Sequence, residues 1–232
     1  MIWLILSSLV LTLSYLLGSF PTGYLVVKQL KGIDIRLVGS GSTGATNVLR
    51  TLGKGPGAFV LLIDCLKGVL AIALVYVFCD VVSSQNLPDP MDWKPRLVTL
   101  AGLAAILGHS KSIFLGFTGG KSVATSLGIL LAINWQVGLV TLAVFTTVIT
   151  LSRIVSLSSI IAAISVSVSM VILQQPLPYI LLGIAGGLYV IVRHRSNIER
   201  IIAGTEAKIG QRVVVEPEQT PEQTISLLTP DS

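Results

Sequence analysis

Seven apolar runs, near residues 2–27, 57–79, 96–108, 122–134, 136–151, 154–173 and 178–192, account for most of this 232-residue chain. A bilayer core of about 30 Å takes about 20 helical residues to cross, so the pattern predicts an all-α integral membrane protein with about seven transmembrane helices. The third and fourth runs are short for a crossing and are expected to tilt, to be partly re-entrant or to extend into neighbouring loops. Composition agrees, because only 12% of residues are charged, about half the share of an ordinary soluble domain. That density leaves too few charges to cover a water-facing surface, which excludes a soluble globular protein.

One polytopic domain is expected over 1–210. Residues 211–232, with Glu216, Glu218, Glu222, Pro217, Pro221 and Pro230, have the composition of a disordered tail. The first run lacks a basic leader and a small-residue cleavage site and reads as a retained helix. Cys65 and Cys79 both fall in one apolar run, where a thiol behaves as a small hydrophobe. They carry no disulfide or metal-ligand signal, and neither a metal nor an organic cofactor is expected.

The net charge of +5 does not read as a nucleic-acid surface, because the basic residues are dispersed among inter-helix segments. If the helices alternate in direction, Lys28, Lys31, Arg36, Arg50, Lys54, Lys111, Lys121, Arg153, Arg193, Arg195, Arg200, Lys208 and Arg212 share one side, 13 of the 16 basic residues. The opposite side holds Lys94 and Arg96 beside Asp80, Asp89 and Asp92. By the positive-inside rule the amino terminus is expected outside and the carboxyl terminus in the cytoplasm.

Polar chemistry gathers in four segments of that basic side. In 34–50, Gly39, Gly41 and Gly44 allow backbone N–H groups to turn toward one point, and a short helix starting at Ala45 would offer an anion its amino end. Arg36 and Arg50 supply countercharge. The glycines also satisfy G-x-G-x-x-G, but no strand or βαβ unit surrounds them, and Ala45 stands where a nucleotide loop needs lysine. A flexible Gly/Ser linker is the bland alternative. In 109–125, Gly119 and Gly120 permit a close backbone approach, Lys121 brings a point charge and Ser122 can cap the next helix. Lys121 alone also fits a topology lysine, and His109 alone reads as structural. Residues 152–159 form a hydroxyl-rich loop with Arg153, although serines also pack membrane helices.

The fourth segment is 193–208. Ser196 and Glu199 form an S-x-x-E capping pattern with a structural role, whereas His194 and Asn197 lie one helical turn apart and can both hydrogen-bond a phosphate or a hydroxyl. Inside the second run, Asp64 and Lys67 read first as a structural ion pair, because a lone charge in lipid costs about 2.5–3.5 kcal/mol even on insertion scales. A contribution of Lys67 to the site is the alternative. Four separated loops thus converge on one interface with no charge strung through the helices, which favours an interfacial enzyme over a conduction path. A transporter of organic phosphates and an anionic-lipid scaffold are the rivals. No internal repeat supports the first, and the second leaves four site-like loops superfluous.

These segments resemble the bacterial acyl-phosphate-dependent glycerol-3-phosphate acyltransferases. The likeness runs from Gly18-Ser19-Phe20-Pro21-Thr22-Gly23-Tyr24-Leu25 through 39–50, 109–125 and 156–159 to Gly204-Thr205-Glu206-Ala207-Lys208. The family commonly has asparagine at the position of Ser42, proline at Ser112 and glycine at Ser122. The resemblance implies seven membrane helices in a bacterial plasma membrane, with a cytoplasmic site. It implies acyl transfer from a long-chain acyl phosphate to the 1-hydroxyl of glycerol 3-phosphate, giving lysophosphatidate and phosphate, the first step of phospholipid synthesis. Membrane lipid and a functional link to the soluble enzyme that makes acyl phosphate follow as partners.

On this reading Lys121, His194, Asn197 and Arg50 are the catalytic candidates. Gly39, Ser40, Gly41, Gly44, Thr46, Asn47, Arg36, Gly119, Gly120, Ser158 and Ser159 are candidates for phosphate binding. Two dianions about 6 Å apart would repel by roughly 11 kcal/mol at an effective dielectric of about 20, so several cations are required. No nucleophile–His–Asp signature and no H-x4-D motif is present, which fits direct attack on an activated acyl phosphate.

Overall fold

The computed structural model describes residues 2–84 and 93–210. The expected disordered tail, together with Arg212, Asp89 and Asp92 of the charge count, lies outside the described residues. Ten α-helices follow in order, α1 Ile2–Ser19, α2 Thr22–Lys31, α3 Ala45–Leu52, α4 Lys54–Ser84, α5 Lys94–Ser110, α6 Val123–Ile133, α7 Trp135–Ser152, α8 Val155–Ile172, α9 Leu177–Arg193 and α10 Arg195–Ile202. No β-strand occurs among the described residues.

Each of the seven apolar runs is helical. Among the described residues four paths can cross a membrane by length and apolarity, Leu4–Lys31, Lys54–Val82, Trp135–Ser152 and Val155–Ile172, and α9 bent by 59° into α10 makes a fifth. Of the two runs read as short, the third extends at both ends into the 17-residue α5, whereas the fourth stays short. The 11-residue α6 reaches only about 16 Å at 1.5 Å per residue.

The first run differs from its expected single helix over 2–27, because it breaks at Phe20 and Pro21 into α1 and α2. Proline has no N–H to continue the ladder, and the break frees the Phe20 carbonyl, which accepts from the buried Lys67 ammonium. Lys67 also donates to Asp64 Oδ1 at 2.6 Å. The mid-run charges are therefore satisfied by each other and by the break.

Glycines let two helix pairs meet backbone to backbone, the small-residue packing that membrane helices use. A Cβ on Gly18 of α1 would lie 2.2 Å from the Ala105 carbonyl of α5, and one on Gly108 of α5 would lie 2.2 Å from the Tyr15 carbonyl of α1. Gly68 of α4 and Gly128 of α6 form the same reciprocal contact, at 2.1 Å from the Thr125 carbonyl and 1.9 Å from that of Cys65. Around these contacts Val10, Ile72, Val75, Val98, Ile106, Ile129 and Leu182 form the central core. The outer surface is apolar too, with Leu62 67%, Leu188 61% and Ile172 71% exposed, as a lipid-facing surface requires. A second cluster of Val27, Ile35, Val48 and Val60 fixes α2, α3 and the loop between them onto α4.

Candidate active site

Three helices begin around one cleft. Ala45 and Thr46 of α3, Val123 and Ala124 of α6, and Val155 and Ser156 of α8 all line it. The first-turn N–H groups of a helix have no partner inside that helix, and each amino end carries roughly half a positive charge. Their convergence makes this end of the bundle an anion site before any side-chain charge is counted. The inner part of the cleft is apolar, walled by Leu127, Leu130, Leu142, Phe145, Ala162 and Val166.

Lys121, Arg50, and the pair His194 and Asn197 reach this space from three separate segments. Lys121 stands immediately before α6 and donates to Asn197 Oδ1. Burial pushes its ammonium down to about 8, opposed by Glu206 and assisted by Arg200, Arg193 and Arg50. Asn197 donates from Nδ2 to Glu206 Oε1 at 2.6 Å. The same oxygen accepts from Ser156 Oγ at 2.7 Å, while Arg200 Nε donates to Oε2 at 2.7 Å. Burial works to raise the Glu206 carboxyl, but these donors hold it below the usual carboxylate range. Burial also pushes His194 down to about 4, so the ring is neutral. Its Nδ1 lies 2.7 Å from the Val190 carbonyl; with the proton on that nitrogen, Nε2 is left as an acceptor.

The remaining sequence candidates divide. Ser40, Gly44, Thr46, Asn47 and Ser159 line the cleft. Asn47 is 1% exposed, and its amide organises the loop, donating to the carbonyls of Val38 and Ser42 and accepting from Ser40 N–H. Gly39 and Gly41 take positive φ and shape the turn, but Gly41 N–H bonds back to Val38. The anion-ready amides therefore belong to the first turn of α3 more than to the glycines. Gly39, Gly41 and Ser158 lie outside the lining, as does Arg36, which forms a 2.6 Å ion pair with Asp34.

Gly119 and Gly120 also lie outside it, and their backbone approaches His109 instead of the cleft. A Cβ on Gly120 would fall 2.1 Å from His109 Nε2. Gly120 N–H donates to the His109 carbonyl at 3.1 Å, and Arg193 donates to the Gly120 carbonyl at 3.1 Å. His109, read from sequence as structural, is the seat of the Lys121 loop and lines the cleft beside Asp64.

Two capping expectations are corrected. The N-cap of α10 is His194, and Ser196 and Glu199 are exposed on α10 without forming a capping box. Ser122 is the N-cap of α6 but makes no cap bond; it adopts φ +62°, a conformation natural to glycine, and donates to the Ile106 carbonyl at 2.7 Å. The S-x-x-E pattern thus drew attention to the wrong glutamate. The carboxylate that joins the cleft network is Glu206, marked in sequence only by its place between Gly204 and Lys208. Ser156 is marked in sequence only as part of the 152–159 loop, and Ser126 carries no sequence mark.

Known proteins similar to this chain belong to one family. The family model described as glycerol-3-phosphate acyltransferase matches residues 8–204. A glycerol-3-phosphate acyltransferase of Nostoc sp. is 75% identical over 222 residues, covering 94% of this chain and 98% of the relative. One of Trichodesmium erythraeum is 58% identical over 220 residues, 92% and 96% of the two chains. Among solved structures, PlsY, an integral membrane glycerol 3-phosphate acyltransferase crystallised in its glycerol 3-phosphate form, superposes with a TM-score of 0.78 at 37% identity. That match covers 88% of this chain and 96% of the other. The lysophosphatidic acid form of the same enzyme gives a TM-score of 0.75. With matches of this length and identity, the chain belongs to the glycerol-3-phosphate acyltransferase family.

Proposed function

We propose that the protein transfers a long-chain acyl group from acyl phosphate to the 1-hydroxyl of sn-glycerol 3-phosphate at the cytoplasmic face of a bacterial plasma membrane. The products are lysophosphatidate and inorganic phosphate. The observation that carries the reading is the polarity of the cleft, with three helix amino ends, Lys121 and Arg50 at one end and an apolar trough at the other. Two phosphates and one acyl chain need that division. The glycerol hydroxyl attacks the carbonyl carbon, its proton passes to a phosphate oxygen, and the C–O bond to phosphate breaks. Phosphate is already a good leaving group, so no acyl-enzyme is required. The protein positions the two substrates and neutralises their charge. Neutral His194 presents Nε2 to a glycerol hydroxyl, and Asn197 and Lys121 hold phosphate oxygens. Supply of the donor by a soluble acyl-phosphate-forming enzyme completes the proposal.

The test is donor choice. Purified protein in detergent with glycerol 3-phosphate is expected to form lysophosphatidate from palmitoyl phosphate and none from palmitoyl-CoA. Product from neither donor sinks the assignment, and product from the CoA ester alone replaces the donor. Orientation is tested separately with the proposed seven crossings and cytoplasmic carboxyl terminus. Leu37, 86% exposed beside the 39–46 loop, is changed to cysteine in a background with Cys65→Ala and Cys79→Ala. An impermeant maleimide is expected to label it in inverted vesicles and not in intact cells, and the reverse pattern overturns the topology.

A further inference from the structure

Most serines buried in these helices return their hydroxyl to the backbone. Ser158 donates to Ile154 and Ser159 to Val155, each at 2.9 Å, and Ser110 donates to Ile106 at 3.2 Å. Ser126 does not. Its Oγ is buried and has no partner, although the residue lines the cleft. A buried hydroxyl without a partner destabilises a fold, and such a group at the wall of a site is expected where function calls for it.

Its position narrows the function. Ser126 lies in the first turns of α6, which begins two residues after Lys121. The next cleft residues on its helix are Leu127 and Leu130, and facing them are Phe145, Ala162 and Val166. The lining thus turns from phosphate-binding to apolar at Ser126. In an acyl phosphate the group that occupies such a boundary is the carbonyl, which joins the phosphate to the hydrocarbon chain. The neighbouring hydroxyls are committed elsewhere, Ser159 to Val155 and Thr141 to Val137 at 2.8 Å.

We infer that Ser126 is a catalytic residue whose Oγ–H donates to the acyl carbonyl oxygen and stabilises the oxyanion formed during transfer. The inference rests on the acyl-phosphate reaction proposed above. As the glycerol oxygen bonds to the carbonyl carbon, the C=O electron pair moves to the carbonyl oxygen, where Ser126 donates. The pair then returns, the C–O bond to phosphate breaks, and phosphate leaves with the hydroxyl proton, so Ser126 neither gains nor loses one. A donor fixed at the site of developing charge accelerates the step without reorganising.

The experiment measures kinetics and thermal stability of the full chain in detergent with glycerol 3-phosphate and palmitoyl phosphate. Ser126→Ala is expected to lower kcat by about 10- to 100-fold, the lower part of the range for one such donor, with both KM values within about twofold. Its melting temperature is expected to equal or exceed that of the unmodified protein, because the change removes an unpaired polar group. Ser126→Thr keeps the hydroxyl and is expected to recover most of kcat. Thr125→Val removes the adjacent buried hydroxyl that does not line the cleft and is expected to leave kcat unchanged. An unchanged kcat in Ser126→Ala, or a rise in KM alone, overturns the role. So does a loss of kcat that accompanies a lowered melting temperature and is not recovered by threonine. Inactivity of the unmodified protein with palmitoyl phosphate would instead overturn the reaction assignment on which the inference rests.

Discussion

Lys121→Ala is expected to reduce kcat/KM by about 10³-fold, roughly 4 kcal/mol of transition-state stabilisation, the upper part of the range for removing one preorganised donor from a developing anion. Lys121 is half-buried at the amino end of α6, so its charge and the helix dipole act on the same phosphate. Removing it also leaves Asn197 Oδ1 without its donor and Glu206 with fewer cations nearby. Lys121→Arg is expected to recover only a small part, because a planar fork cannot occupy the place of a compact ammonium against Asn197. Arg50→Ala should lose less, since Arg50 already commits Nη2 to the Ala207 carbonyl at 3.1 Å. Steady-state kinetics on detergent-solubilised protein check the series, and a Lys121→Ala enzyme within threefold of the unmodified rate contradicts the role.

The same lysine predicts the alkaline limb of the pH profile. Its ammonium, lowered to about 8 by burial, is charged below that pH and loses its proton above it. Phosphate binding to free enzyme, read by kcat/KM, should therefore decline as pH rises through about 8. Bound phosphate favours the charged form, so the limb in kcat should lie at higher pH. On the acid side His194, lowered to about 4, stays neutral, so any acid limb is expected near pH 6, from the second ionisation of the substrate phosphate. Lys121→Arg should move the alkaline limb out of range in whatever activity it retains. A limb that stays at pH 8 in that variant assigns the titration elsewhere.

Helix placement and the short α3 were legible because they depend on local information. Apolar runs mark the membrane segments, and Gly44 followed by Ala45 marks the start of α3, which begins at Ala45 as the sequence predicts. The break at Phe20 and Pro21 was masked by the apolarity on both sides of it, although the proline itself was a signal. Partners distant along the chain were not legible. Gly120 is needed because His109 lies beneath it, and the Phe20 carbonyl, outside the regular helical ladder, accepts from Lys67, 47 residues away, as well as from Thr22 N–H. Sequence patterns weigh a residue by its neighbours in the chain, so a carboxylate that closes a network through space, as Glu206 does, is marked only by the short segment around it and not by the partners it joins.

Glu206→Ala is expected to damage both stability and activity. The carboxylate is 4% exposed and accepts from Ser156, Asn197 and Arg200. Its loss strands two buried donors, at about 3 kcal/mol for a buried, charge-assisted set of this kind. Arg200 adds little to that figure, because its side chain is 42% exposed and can turn to water. The kinetic effect comes through Asn197. Lys121 can only donate and an ionised Glu206 can only accept, so together they dictate which end of the Asn197 amide faces the lysine. Without the carboxylate that amide is free to turn, and kcat/KM should fall by about 10²-fold, the upper range for an outer-shell partner that orients a ligand-binding group. Glu206→Gln separates the two contributions. Its Oε1 still accepts from Ser156 and Asn197 while Arg200 swings outward, so thermal stability should return most of the way toward that of the unmodified protein. Activity should recover by about tenfold over the alanine variant, short of full rate because the charge that keeps Lys121 protonated is gone. The alkaline limb of Glu206→Gln should accordingly lie below pH 8. Unmodified kinetics in Glu206→Ala, or a limb that moves upward in Glu206→Gln, would exclude the carboxylate from control of the lysine.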